Sequence, residues 1–350
     1  MTMRTRCTPC PRPARQAGAA LLAAMLTVTL VATFAAGALW QQWRATEVEA
    51  AERARVQAAW VLIGALDWSR LILREDGRSG SATSGTDNLS EPWAVPLEEA
   101  RLTSFLAGDK NVSADELDGL PDAFLSGRIV DAQSKLNVMN LVENGKPIPE
   151  AIASFTKLFE LLGLPTQEVA VMASALRRAR PAPADPATGG VAATTPTDDS
   201  TAPLIPQQLA QIVWLGVSPS TAAALEPYAT VLPTTKTTTL NVNTASAEAL
   251  FAAVPELDLA GARRVVLQRA SGYFKSPADA FPATGTKPLT TTALGVSTAF
   301  FEVHGRLRLE NHWVDEHSLV QRNGTDLTIL WRERGAGATV TPGKLGTRTF

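Results

Sequence analysis

The sequence predicts an α+β protein: a long N-terminal helix packed on an antiparallel sheet, with a large all-α domain inserted in that sheet. Three observations carry the prediction. Residues 18 to 40 hold no charge, and no proline falls between Pro13 and Pro92. From Thr298 the apolar residues recur every second position, the period of a half-buried strand. Between that region and an earlier strand-like segment lies a block with helical spacing. Helices wedged between two sets of strands are the pattern of an insertion into an α+β domain.

The first element is one helix, half in lipid and half in water. The run Ala19 to Trp40 is long enough to cross a bilayer, which needs about 20 apolar residues. Gln41 to Arg74 is rich in Ala, Arg, Glu, Leu and Gln, all good helix formers. Arg4, Arg6, Arg12 and Arg15 precede the run, and no acidic residue comes before Glu47. The basic flank favours a cytoplasmic N-terminus with the rest of the chain outside. Three readings of residues 1–18 stay open at this point. They form a basic leader cut between Gly18 and Ala19, the flank of an uncut anchor, or the start of a secretory signal ending near Ala36-Gly37-Ala38. The only cysteines, Cys7 and Cys10, lie in this segment, and a lone pair is a weak redox or zinc signal.

Asp76 to Ser90 is rich in Gly, Ser, Thr, Asp and Asn and reads as a surface loop ending the helix. Leu97 to Leu106 is a short segment. Gly127 to Leu141 reads as a strand, a polar turn and a second extended piece. Ile148 to Arg180 is helical, with Ile152, Phe155, Leu158, Phe159 and Leu162 on one stripe. Leu164-Pro165-Thr166 opens its second helix. Residues 181–203 are Ala, Pro, Thr, Gly and Asp, the composition of a flexible linker. Helical patterns run from Ile205 to Tyr228. Leu240 to Ala245 leads into a helix–turn–helix from Ser246, a candidate N-cap, to Gly272. Phe301, Val303, Gly305, Leu307 and Leu309 alternate as a strand. Trp313–Arg322 and Leu327–Arg334 form a hairpin with Asn323-Gly324 at its turn. Residues 336–350 read as a disordered tail.

The chain has 350 residues, 45% of them hydrophobic, with net charge -2 and pI about 6.0. It can bury a core, and no basic field points to nucleic acid. Catalytic signatures such as a Gly-rich phosphate loop, Gly-x-Ser-x-Gly or His-Glu-x-x-His do not occur. His312 and His317 lie five apart, so on one strand they face opposite sides and cannot share a metal without a turn. Asp109, Asn111 and Asp115 have the alternating oxygens of a calcium-loop start. Ala114 and Leu120 stand where that loop needs glycine and glutamate. No other cofactor is expected.

Several segments together carry a resemblance. They are Arg15-Gln-Ala-Gly18 before Ala19-Ala-Leu-Leu, Ile129 to Leu141, Leu240-Asn-Val-Asn-Thr-Ala245, and the closing strands from Phe300-Phe-Glu-Val303. Over Arg15 to about Arg334 the chain resembles general secretion pathway protein K, the large minor pseudopilins of bacterial type II secretion. The resemblance implies a pilin-like domain over 90–145 and 297–335, after a leader (1–18) and a long helix (19–75, spanning at 19–40). The inserted domain, 146–296, is then of helix-hairpin-helix or SAM-like type. It also implies cleavage at Gly18 by prepilin peptidase, an inner-membrane anchor with a periplasmic domain, and partnership with minor pseudopilins I and J and other pseudopilins at the pseudopilus tip. Ala23 stands where most pilins place a glutamate, an absence that suits a tip subunit. The helix stripe Val56, Trp60, Ile63 and Leu71, with Leu66 between, is the candidate partner face.

The rival is a membrane-anchored DNA-uptake receptor, because Leu240 to Val266 is similar to the helix-hairpin-helix of competence proteins. That motif offers backbone N–H groups to a phosphate. Here its turn contains Pro255, which has no N–H, and the acidic Glu256 and Asp258. Arg263, Arg264 and Arg269 read as a solvated helix face, so no nucleic acid is expected.

Overall fold

The computed structural model describes residues 17–79, 85–106, 122–181, 202–281, 293–309 and 312–336. The chain divides into two compact units, Met1–Ala59 and Trp60–Phe350. Helix α1, Ala17–Ser79, runs through the boundary. Among the described residues it covers the expected long helix and continues four residues past the expected stop.

In the first unit, the side chains from Ala19 to Arg53 are exposed. This is a helix long and apolar enough to cross a membrane. Its polar groups are prepared for that. The hydroxyls of Thr27, Thr29 and Thr33 donate to the carbonyls of Ala24, Leu26 and Leu30, so these three do not face lipid unpaired. At the end of the run, the Arg44 guanidinium sits 4.9 Å from the Trp40 ring, a pairing suited to the headgroup layer.

The second unit is built on a five-stranded sheet. Its strands are β1 (Leu97–Arg101), β2 (Ala123–Asp131), β9 (Phe300–Leu309), β10 (His312–Asn323) and β11 (Asp326–Ala336), in the order β1-β2-β9-β10-β11. All four pairings are antiparallel. The alternation read at Phe301 to Leu309 sorts the two faces. Phe301, Val303 and Val320 pack with Leu66, Leu73 and Trp93, which places α1 on one face. Gly305 belongs to that face: a Cβ there would meet the Leu62 side chain at 3.2 Å, so glycine lets the helix approach. Phe300 and Leu319 instead pack with Ala132 and Leu232 of the insert.

The hairpin turn is shifted by one residue from expectation. Asn323 pairs with Asp326, so the loop is Gly324-Thr325, with Gly324 at a φ of 63°. Glycine supplies the positive φ, and Asn323 stays in the strand. A short helix α2, Leu102–Leu106, follows β1.

The insert lies between β2 and β9. It contains β3 (Leu136–Asn137), β4 (Val142–Glu143), β5 (Lys146–Pro147), α3 (Pro149–Leu162), α4 (Gln167–Ala179), α5 (Pro219–Leu225), β6 (Ala229–Thr230), β7 (Leu240–Asn241), α6 (Ala247–Ala253), α7 (Leu259–Ser271) and β8 (Leu294–Gly295). Phe155, Leu158 and Phe159 of the expected stripe are buried in its core. Ser246 caps α6 by accepting from the Ala249 N–H.

The expected boundary at residue 146 is too late. Leu136, Val138, Met139, Leu141 and Val142 already belong to the insert's core. Their extended pattern resembles sheet, but β3 pairs in parallel with β6 of the insert. The expected linker falls almost wholly outside the described residues, as does the tail beyond Ala336.

The expected surface loop also needs correction. Thr86, Asp87, Asn88 and Glu91 are buried, because their polar groups find partners. Asp87 and Asp76 both hold Arg322 of β10, and Glu91 accepts from Asn88 and the Trp93 indole.

Candidate functional site

Three features invite a functional reading. They are the outward face of α1, the helix–turn–helix, and the polar groups on the sheet face that meets the insert.

On α1 the predicted stripe splits. Leu66, expected in it, is buried with Leu62 and Leu73. Ile63 is half-buried. Val56, Trp60 and Leu71 remain 54%, 69% and 50% exposed, and Trp68 is 50% exposed beside them. One helix face therefore makes core while the next stays apolar and open. Next to it is a groove of about 540 Å³, lined by Gly64, Trp68, Ile72, Val95, Leu97 and Leu125 among others. An apolar surface of this kind marks a protein or membrane contact.

The helix–turn–helix is α6 and α7 with the turn between them. Its hydrogen-bonding groups are already used. Lys157 of α3 donates to the carbonyls of Val254, Pro255 and Leu257 at 2.8, 3.1 and 2.9 Å. The Gly261 N–H, which a phosphate would need, donates to the Asp258 carboxylate at 2.7 Å. Arg269 is not on a solvated face as expected. It donates to the carbonyls of Val242 and Ala245, and burial pushes its guanidinium down to about 10. The motif is thus a packing element. The full chain is expected to leave duplex DNA unshifted at micromolar concentration and physiological salt. A gel shift with a steep salt slope would contradict this.

The two Asn-rich segments that carried the resemblance prove structural. Each contains a two-residue Leu-Asn strand, β3 and β7, paired in parallel. Asn137 accepts from the backbone of Met139 and Leu232. Asn140 exchanges two hydrogen bonds with the Thr238 backbone. Asn241 donates to Asp131 and to the Asp87 carbonyl. Asn243 donates to and accepts from the Phe274 backbone. The asparagines act as backbone substitutes where the short strands end. Asp131, the last residue of β2, is fully enclosed. Burial raises its carboxyl to about 6, against donations from Thr244, Thr298, Asn241 and the Gln133 N–H.

On the same side of the sheet, register brings together residues far apart in sequence. His304 of β9 pairs with His317 of β10, and their rings stack at 4.1 Å. Glu302 lies 3.6 Å from His304 Nε2, 3.9 Å from His317 Nε2 and 3.0 Å from Lys135 Nζ. Burial opposes the charge on Glu302, but His304 and Lys135 outweigh it and hold the carboxyl at about 2. Burial, then the neighbouring His304, pushes His317 down to about 4. Sequence spacing drew attention to His312 and His317, but the partner of His317 is His304. The calcium-loop candidates Asp109, Asn111 and Asp115 lie outside the described residues. Gly18 lies within α1, and the side chain of Ala23 is exposed on it.

An apolar anchor running into a helix packed on an antiparallel sheet defines a pilin-like subunit, and the long insert between β2 and β9 sets it apart from a minimal one. Two family models, both described as type II secretion system protein K, match residues 134–234 and 240–297. Together they cover most of the insert. The chain is 26% identical to type II secretion system protein K of Pectobacterium carotovorum subsp. carotovorum, over 94% of this chain and 99% of that one. Its fold is similar to a chain in a crystal structure of the GspK-GspI-GspJ complex of the enterotoxigenic Escherichia coli type 2 secretion system. The TM-score is 0.57 at 18% identity, covering 82% of this chain and 99% of that one. The chain thus carries, over residues 134–234 and 240–297, both domains described for type II secretion system protein K. It is a minor pseudopilin of type II secretion.

Proposed function

We propose that this pseudopilin caps the tip of the periplasmic pseudopilus together with two smaller minor pseudopilins, and that it acts as an assembly subunit without catalysis. The observation that carries the reading is the open apolar face of α1, with Val56, Trp60 and Leu71 exposed, on a subunit whose insert is too bulky for a repeated filament position. The similar chain of known structure is in complex with GspI and GspJ, which supports partners of that type here. Ala23 supports the tip position. A carboxylate at that depth needs a partner, which pilin assembly is thought to supply from the N-terminal amine of the subunit ahead. A tip subunit has none ahead.

In this reading the apolar run of α1 spans the inner membrane, with the basic segment in the cytoplasm and residues after Trp40 in the periplasm. Prepilin peptidase cuts between Gly18 and Ala19. Mass spectrometry of membrane-extracted protein is expected to give an N-terminus at Ala19. Gly18→Leu is expected to leave the leader in place. A mature chain beginning at Met1, or near Leu39, contradicts the processing reading.

A further inference from the structure

We propose that Glu302, His304 and His317 form a binding site for a single zinc ion, or a similar divalent transition metal, on the sheet face that meets the insert. The argument starts from register. Glu302 and His304 are two apart on β9 and share a face, and the β9–β10 pairing sets His317 opposite His304. Three donor atoms of the zinc-preferring kind, two imidazole nitrogens and a carboxylate oxygen, fall within 4.8 Å of one another.

The distances are near those a metal needs. Zinc holds such donors at about 2.0–2.2 Å in tetrahedral geometry, so neighbouring donors stand about 3.4 Å apart. Glu302 is 3.6 Å from His304 Nε2 and 3.9 Å from His317 Nε2. The two imidazoles stack with their planes 18° apart, and each nitrogen lone pair lies in its ring plane, so coordination of one ion requires one ring to turn out of the stack.

A second observation points to a ligand. His317 Nε2 is buried and makes no hydrogen bond. Buried polar atoms are nearly always paired, and this one faces the carboxylate and the second imidazole. The rings themselves are reachable, with 30% and 38% of the His304 and His317 side chains exposed. Three protein donors leave one coordination position open, for water or a partner's side chain. The donor set is unsuited to calcium or magnesium, which prefer oxygen ligands.

The same geometry names an antagonist. Lys135, at the start of the insert, lies 3.0 Å from Glu302 Oε2 and competes with a metal for that oxygen. Metal binding must displace the ammonium, which opposes affinity. Replacing Lys135 with a neutral residue of similar length should therefore tighten binding, an outcome that loss of folding cannot imitate.

The test uses the detergent-solubilised full chain with Cys7→Ser and Cys10→Ser, which removes the other zinc-capable pair. Zinc chloride is titrated by calorimetry, and melting is followed with zinc, calcium or magnesium. The expected result is one zinc per chain and a higher Tm that EDTA reverses, with no response to the other two ions. His304→Gln and His317→Gln are expected to abolish zinc binding, with melting in EDTA near that of the parent. Lys135→Met is expected to tighten binding by about tenfold, the scale of removing one nearby charge. No uptake at 100 µM zinc, uptake that survives both histidine substitutions, or weaker binding in Lys135→Met overturns the proposal.

Discussion

Arg322→Met is expected to destabilise the protein by about 3–5 kcal/mol, the cost of leaving buried charge without its partner. Arg322 donates to Asp76 of α1 at 2.6 Å, to Asp87, and to the Thr298 carbonyl at 3.1 Å. Its guanidinium also lies 4.8 Å from the Phe301 ring. One side chain thus ties the end of α1, the segment after it and the sheet. Burial already raises Asp76, and only Arg322 opposes that. Methionine keeps the length and removes the charge, leaving two enclosed carboxylates facing each other. Asp76, already raised by burial, loses the one group that opposes the rise, so the penalty is full at neutral pH. It shrinks as pH falls and the folded state takes up protons. Thermal melting at pH 7 is expected to fall by roughly 10 °C, with part of the gap to wild type regained near pH 5. A fall of less than 2 °C would mean that these ion pairs contribute little.

Trp60→Asp is expected to weaken association with the partner pseudopilins at least 30-fold, the effect of losing an aromatic anchor worth about 2 kcal/mol or more. Trp60 is 69% exposed, so the substitution removes no core contact. Its cost to the monomer is limited to helix propensity, under about 1 kcal/mol. Circular dichroism and melting should stay near wild type while co-purification is lost. Leu66→Asp is the contrasting variant: Leu66 is buried against the sheet, and that chain should unfold. If Trp60→Asp itself unfolds, the contact assignment fails. If it folds and still binds normally, the face belongs to lipid or to no partner.

The contrast between Trp60 and Leu66 shows where sequence reading stops. Both lie on one broad apolar stripe, and period alone cannot say which part meets the chain's own sheet. Long, strongly periodic elements were legible: α1 from its proline-free, helix-forming composition, and β9 to β11 from alternation and the Asn-Gly signal. The early edge of the insert was not, because Leu136 to Leu141 looks locally extended and its partner, β6, is about 90 residues away. The Asn144-Gly145 turn between β4 and β5, both residues at positive φ, carries a hairpin signal in sequence, but its strands are only two residues long and too short to show alternation.

The histidine pair was hidden for a related reason. Spacing along one strand relates His312 to His317, but contact across strands follows from register. The pairing of Leu309 with His312 sets every later partner, including His304 with His317. The buried stretch Thr86–Asn88 looked like solvent loop by composition. Its enclosure depends on Arg322, more than 200 positions away, and on the indole of Trp93.

The central claim, that this chain is a tip subunit, is tested most directly by native mass spectrometry of the detergent-solubilised full chain mixed with the two smaller minor pseudopilins. The account predicts a discrete one-to-one-to-one complex and no ordered assembly of this chain alone. Long homopolymers formed without the partners, or no complex at tens of micromolar, would contradict it.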